Sequence, residues 1–446
     1  MTSLLLLLLS VVIIVLLTAR FKVHPFLALL AAALIFALFS GMPFDTILES
    51  INEGFGGTLG KIGLVIVLGV IIGAFLEHSG GAYKLAEIVL KVIGQRRVHE
   101  AMGIIGYIVS IPVFVDSGFI ILNPLNKSLS KRAKLSVAGT AVALALGLLL
   151  THVMVPPTPG PIAAAGILKA DIGLVMLVGL GVSLLTLVVA IVYAKKVAAK
   201  VYIDPNPELD EKAVEQKIKA APSALKSFLP ILVPIVLIVG KSVVEFNIAE
   251  KTVLSFPIQL LYFLGTPVIA LLVGVLLAFL LPKKWDTELL STTGLVGKAL
   301  QDASTILLIT GAGGIFGAIL QNSDLSEVLS NALSGLNLGI WLPFILAAAI
   351  KTAQGSSTVA LITTASILAP LTANLGFDSE LQKAMMVIAI GAGSLVISHA
   401  NDSAFWIVTQ LTGMDVKTGY RVYSLGTLVT GVFAALVLFL LSVLLV

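Results

Sequence analysis

The sequence predicts an all-α polytopic membrane protein made of two inverted-topology repeats, and three observations point there. Hydrophobic residues make up 58% of the 446-residue chain and charged ones only 12%, against roughly 25% charged in an average soluble protein. Mean hydropathy is +1.08, and several apolar runs approach the ~20 residues that cross a bilayer as a helix. Lys and Arg gather in short clusters at the ends of those runs, the pattern that orients a chain in a membrane. The net charge of +4 therefore reports topology and not a nucleic-acid surface. The absence of cysteine excludes disulfides, thiolate metal sites and cysteine nucleophiles.

Charge orders the elements of the first repeat, residues 1–200. The run 4–19 lacks the basic flank and cleavage pattern of a signal peptide and is taken as a membrane helix. Arg20 and Lys22 follow it on the inside, which puts the N-terminus outside. A second helix, 26–40, leads to an outer loop carrying Asp45, Glu49 and Glu53, and a third, 62–76, returns inward. The next apolar segment has Lys91, Arg96 and Arg97 before it and Lys127, Lys131, Arg132 and Lys134 after it. Basic charge at both ends predicts a re-entrant hairpin at about 101–125, its tip around Val115-Asp116-Ser117-Gly118. A helix at about 135–168 is broken by the prolines of Thr151 to Pro161, which cannot continue a regular helix. The run 172–194 closes the repeat at Lys195, Lys196 and Lys200.

Residues 201–226 turn polar and read as a cytoplasmic linker. The second repeat, 227–446, has apolar runs at 228–240, 257–281 and 305–320. A hairpin at about 341–371 is interrupted at Lys351 to Thr358. It enters from outside, because its neighbours Asp324, Glu327, Asp378 and Glu380 are acidic. A helix at about 384–411 is broken at Ser398 to Ser403. Lys417 and Arg421 then lie inside, and the C-terminus ends outside.

Short matches recur in the same order in both halves, the mark of duplication. Asp45-Thr46 and Ser50 recur as Asp286-Thr287 and Ser291. Gly73-Ala74 with Leu76 and Ser79 recurs as Gly317-Ala318 with Leu320 and Ser323, and Thr151-His152 as Ser398-His399. The first copy begins outside and the second inside. Transporters of this plan hold substrate and coupling ion where broken helices of both repeats meet.

The interruptions supply the candidate residues. Backbone N–H groups at the start of a half-helix form an anion pocket, so Gly355, Ser356, Ser357 and Thr358 are expected to grip a carboxylate, with Lys351 adding positive charge. Asp116 is the sole carboxylate deep in the first hairpin and the first proton-carrier candidate. His152, His399 and Asp402 are the others, since histidine titrates near neutral pH. Asp402 also suits an N-cap. Ser117, Gly118, Thr151, Thr158, Asn401 and Ser403 complete the expected substrate contacts. No metal is expected, because the histidines lack neighbouring carboxylate or sulfur ligands. Glu77 and His78 are read as interfacial. Zinc-protease and nucleophile-elbow motifs are lacking, so neither an enzyme nor a cofactor is predicted.

The motifs Gly56-Gly57-Thr58-Leu59-Gly60, Val115-Asp116-Ser117-Gly118-Phe119, Thr151-His152 with Pro156-Pro157-Thr158-Pro159-Gly160-Pro161, Gly355-Ser356-Ser357-Thr358-Val359-Ala360 and Ser398-His399-Ala400-Asn401-Asp402-Ser403-Ala404-Phe405-Trp406 run through nearly the whole chain. In them the sequence resembles the gluconate:proton symporter (gluconate permease) family of the ion-transporter superfamily. The resemblance implies proton-coupled uptake of gluconate or a related hydroxy or sugar acid through a bacterial inner membrane. It also implies a homodimer whose scaffold domain holds an elevator-like transport domain. The chain departs from the family pattern at Asp116, Thr158, Lys351 and Ala404, where Glu, His, Arg and Gly are expected. A sodium-coupled carboxylate carrier and a carrier of D-serine or another small hydroxylated acid are the alternatives.

Overall fold

A computed structural model describes residues 2–94, 97–205, 216, 218–247, 255–284, 286–323 and 339–445. Arg96, Asp324, Glu327 and the middle of the expected linker lie outside the described residues. Every regular element among the described residues is helical. The first half contains α1 (Thr2–Val15), α2 (Pro25–Phe39), α3 (Phe44–His78), α4 (Gly81–Ile93), α5 (Val98–Val109), α6 (Val115–Arg132), α7 (Val137–Met154), α8 (Pro159–Ile167) and α9 (Ile172–Lys196). The second contains α10 (Ala224–Asn247), α11 (Phe256–Leu264), α12 (Pro267–Ala278), α13 (Leu295–Gln321), α14 (Trp341–Gln354), α15 (Ser357–Leu368), α16 (Glu380–Leu395), α17 (Ser403–Thr412) and α18 (Leu425–Leu445). Six spans among the described residues are long and apolar enough to cross a membrane, seven if the bent pair α11 and α12 counts as one.

Local chemistry sets many of these ends. Pro25, Pro159 and Pro267 stand at helix starts, where a missing N–H costs nothing. Ser136 caps α7, Asp171 caps α9, and Ser379 with Gln382 forms a capping box on α16. Gly355 and Gly413 end α14 and α17 with positive φ.

The core is built from the broken helices themselves. All of α7 is buried, and so is α16 from Ala384 to Leu395. Large apolar side chains on α9, α12 and α18, among them Leu184, Leu185, Leu276, Leu440 and Val443, point outward, as lipid-facing positions do.

Helices α3 and α13 pack antiparallel. The backbones of Gly54 and Gly314 meet without an intervening side chain, Phe55 packs on Gly311, and Gly63 faces Leu307. Asn322 Nδ2 donates to Ser50 Oγ at 2.9 Å near one end of the pair. Small residues permit this approach, which membrane helices use in place of a hydrophobic drive.

Four expectations need correction. Asp45, Glu49 and Glu53 belong to the first turns of the 35-residue α3 and not to an outer loop. Polar residues on one face disguise a helix whose other face still buries Ile47, Ser50 and Gly54. The chain breaks at Ser110 to Phe114, so Val115 to Gly118 form the first turn of α6 and not the tip itself. Lys351 to Gln354 are the last turn of α14, and only Gly355 and Ser356 interrupt the second pair. The apolar run 257–281 bends by 73° between α11 and α12, where Gly265 packs against the Leu237 carbonyl and Lys241 of α10. In addition, α13 begins ten residues before the expected 305, at Leu295.

Candidate functional site

Three helix starts converge on a cavity of about 660 Å³. Val115, Asp116 and Ser117 begin α6; Ser356, Ser357 and Thr358 begin α15; Asp402, Ser403 and Ala404 begin α17. The opening N–H groups of a helix have no carbonyl partner within it and carry partial positive charge. Their convergence makes a cradle for an anion without any unpaired cation. Two caps hold the starts in place: Ser356 Oγ accepts from Val359 N–H at 3.3 Å, and Asp402 Oδ1 accepts from Ala404 N–H at 3.1 Å. Ser403 Oγ donates to Asp116 Oδ2 at 2.8 Å and ties α17 to α6.

Lys351 has its charge matched inside the protein. Its ammonium is 1% exposed and donates to Asp402 Oδ2 at 2.6 Å and to the Gly355 carbonyl. Asp402 also accepts from Ser398 Oγ at 2.5 Å. The pair is therefore internally neutral and joins the end of α14 to the start of α17. His399 and Asn401 strengthen that joint. His399 Nε2 lies 2.7 Å from the Thr352 carbonyl, and Asn401 Nδ2 donates to the carbonyls of Thr352 and Ala353 at 2.9 and 3.1 Å. These bonds satisfy carbonyls that the end of α14 leaves without partners. Ser357 Oγ donates to the Ser394 carbonyl at 2.9 Å and fastens α15 to the end of α16.

Asp116 has no cation within ion-pair distance among the described residues. His152 also lines the cavity, beside Phe114 at 6.0 Å between ring centroids, and its Nδ1 has no hydrogen-bond partner. A buried nitrogen in that condition is ready to meet a ligand hydroxyl or a water.

The predicted residues thus divide in two. Asp116, Ser117, His152, Gly355, Ser356, Ser357, Thr358, Asn401, Asp402 and Ser403 line the cavity. Gly118, Thr151, Thr158, Lys351 and His399 do not. Thr151 donates to the Tyr107 carbonyl at 3.0 Å, Thr158 to the Val155 carbonyl at 2.6 Å, and Gly118 is wedged against Leu148. Among the described residues no group of three or more His, Asp and Glu is placed to hold a metal ion.

Sequence reasoning missed Gln301, Asp302 and Thr305 of α13, which form one wall, and Gln354. Glu77, read as interfacial, is exposed at the end of α3, with Ser117 and Asp302 near its carboxylate. The polar pair Gln301-Asp302, inside a helix that continues to Gln321, was the available signal.

A profile of the GntP family permeases matches residues 2–444. An uncharacterized permease of Haemophilus influenzae is 43% identical over 93% of this chain and 86% of its own length. A gluconate permease of Pseudomonas aeruginosa is 33% identical over 97% and 95%. The D-serine transporter DsdX of Escherichia coli is 34% identical over 96% and 95%. Among solved structures, MtrF of Neisseria gonorrhoeae, described as one of a class of antimetabolite efflux pumps, superposes with a TM-score of 0.66 at 14% identity. That match covers 95% of this chain and 97% of MtrF, and at this identity the likeness concerns the fold alone.

Proposed function

The chain belongs to the GntP family of permeases, and on that premise we propose that it is a secondary transporter that carries gluconate or a related small hydroxy or sugar acid anion into the cell together with protons. The observation that carries this reading is the meeting of three helix starts around a cavity that also holds the cation-free Asp116. The N–H groups bind the carboxylate. Gln301, Gln354 and Asn401 offer donors and acceptors to the hydroxyls. Asp116 carries the proton: with its proton on, it adds no negative charge beside the substrate anion, and without it, it repels that anion. Each proton state then favours a different occupancy, which is the requirement for coupling.

The setting is a bacterial inner membrane with both termini outside. Each repeat contributes a re-entrant hairpin (α5 with α6, α14 with α15) and a broken helix (α7 with α8, α16 with α17). Those elements move as a transport domain against a scaffold, and two copies pair as a homodimer. The helix breaks and the cross-bracing of α14, α16 and α17 support treating these elements as one body.

A second substrate class has an observation in its favour. Asp116 and Asp302 share the cavity with the anion cradle, a pairing that suits the ammonium of a hydroxylated amino acid such as D-serine. The experiment is uptake of labelled gluconate and labelled D-serine into proteoliposomes under an inward proton gradient. Gluconate accumulation that collapses with an uncoupler is expected. Uptake that ignores pH and follows sodium overturns the proton assignment, and uptake of D-serine alone transfers the substrate to the second class.

A further inference from the structure

A second cavity, of about 590 Å³, lies at the other end of the α3 and α13 pair. It draws on Gly57, Thr58 and Lys61 from the first half of α3 and on Gln321 and Asn322 at the end of α13, with Lys169 just past α8. The first cavity draws on Gln301, Asp302 and Thr305 from the first half of α13, with Glu77 beside it at the end of α3.

Four positions of these sets correspond. Aligning Gly73-Ala74-Phe75-Leu76-Glu77-His78-Ser79 with Gly317-Ala318-Ile319-Leu320-Gln321-Asn322-Ser323 sets Glu77 opposite Gln321. The same register sets Gly57, Thr58 and Lys61 opposite Gln301, Asp302 and Thr305. The two cavities therefore use equivalent positions of two antiparallel helices, but their charges are inverted. Thr58 replaces Asp302, Gln321 replaces Glu77, and Lys61 replaces Thr305, while Lys169 adds a second cation. Glu53 is the one carboxylate in the lining. Lys61 and Lys169 are exposed and make no ion pair among the described residues.

We propose that the second cavity is a low-affinity capture site for small carboxylate anions on the entry side of the protein, with Lys61 and Lys169 as its charge. This deepens the transport reading and rests on it for the direction of entry. Cations in a concave mouth raise the local concentration of an anion. Carboxylates at the equivalent mouth, Asp302 and Glu77, discourage its return. The inversion therefore biases a pseudo-symmetric protein toward inward delivery of an anion.

The test reads lysine modification, which does not depend on transport. Protein in proteoliposomes is acylated from outside with the membrane-impermeant reagent sulfosuccinimidyl acetate, and each lysine is quantified by mass spectrometry. Gluconate, glycerate and D-serine are each compared with sorbitol, an uncharged polyol. Gluconate is expected to slow modification of Lys61 and Lys169 by about threefold or more through occupancy of the charged mouth, while Lys241, on the same side but outside the cavity, is unaffected and sorbitol protects neither. In a second arm, the K61Q/K169Q variant is expected to raise the KM for gluconate uptake at low salt, the gap closing near 1 M salt, where the screening length is about 3 Å. Failure of all three carboxylates to protect either lysine, equal protection by sorbitol, or a KM change that salt does not narrow overturns the capture site. Protection without gluconate uptake by the wild type upholds the site and removes the transport reading instead.

Discussion

A lysine 1% exposed inside a membrane protein is tolerable only with its charge matched, and Lys351 has its match in Asp402 at 2.6 Å. Removing one member of such a pair leaves an uncompensated buried charge and costs about 3–5 kcal/mol, whereas removing both is far milder. We expect K351M and D402N each to lower the melting temperature in detergent sharply, and K351M/D402N to recover most of it. A double variant no better than the worse single one would show that the charges do not act as a pair. Asp116 behaves differently because no cation holds it. For D116N we expect exchange of labelled for unlabelled gluconate to persist while accumulation driven by a proton gradient disappears; loss of both activities, or retention of both, removes Asp116 from coupling. At this scale the sequence disclosed which residue types stand at the breaks but not who pairs with whom. Lys351 looked like a substrate cation because its partner lies in a different break.

Among the elements, breaks were legible and seams were not. Prolines disrupt helical hydrogen bonding most where they cluster, so the proline-rich interruption between α7 and α8 stands out in the sequence, as does the glycine with hydroxyl residues between α14 and α15, whereas the lone Pro124, Pro230 and Pro234 sit inside continuous helices. The polar first turns of α3 and α13 escaped notice, because hydropathy tracks apolar runs and these turns bury only one face. The seam between those helices depends on Gly54 and Gly314, whose backbones touch. A G314V substitution pushes methyl groups toward the Gly54 carbonyl and Thr58, and overpacking of this kind costs about 1–3 kcal/mol. Reduced yield of folded protein and a lower melting temperature are expected; an unchanged melting temperature would mean that the helices separate readily at that point. Gly355 has a positive φ of 96° and would meet the Asn401 carbonyl if it carried a side chain. A left-handed backbone costs most residues roughly 1–2 kcal/mol, so G355A is expected to weaken substrate binding by disturbing the start of α15. A binding constant equal to wild type would show that the start of α15 keeps its place without the glycine.

For the whole molecule, the decisive relation is that two cavities flank one antiparallel helix pair, at equivalent positions and opposite ends. A path open to both sides at once would let ions and substrate run down their gradients, so a coupled carrier must expose its binding site to one face at a time. Along this pair the contact of Gly63 with Leu307 lies between the residues that line the two cavities. The chain contains no cysteine, so a single introduced one reports cleanly on access. Q301C in the first cavity is expected to react with an impermeant maleimide from the cytoplasmic face, and G57C in the second from the outside. Under a proton gradient, gluconate is expected to shift the two rates in opposite directions, because a change of conformation that closes one mouth opens the other. Reaction of both cysteines from the same face would place both cavities on one side of the membrane. Parallel changes in rate would separate the cavities from alternating access and leave the charge inversion between them without a role in transport.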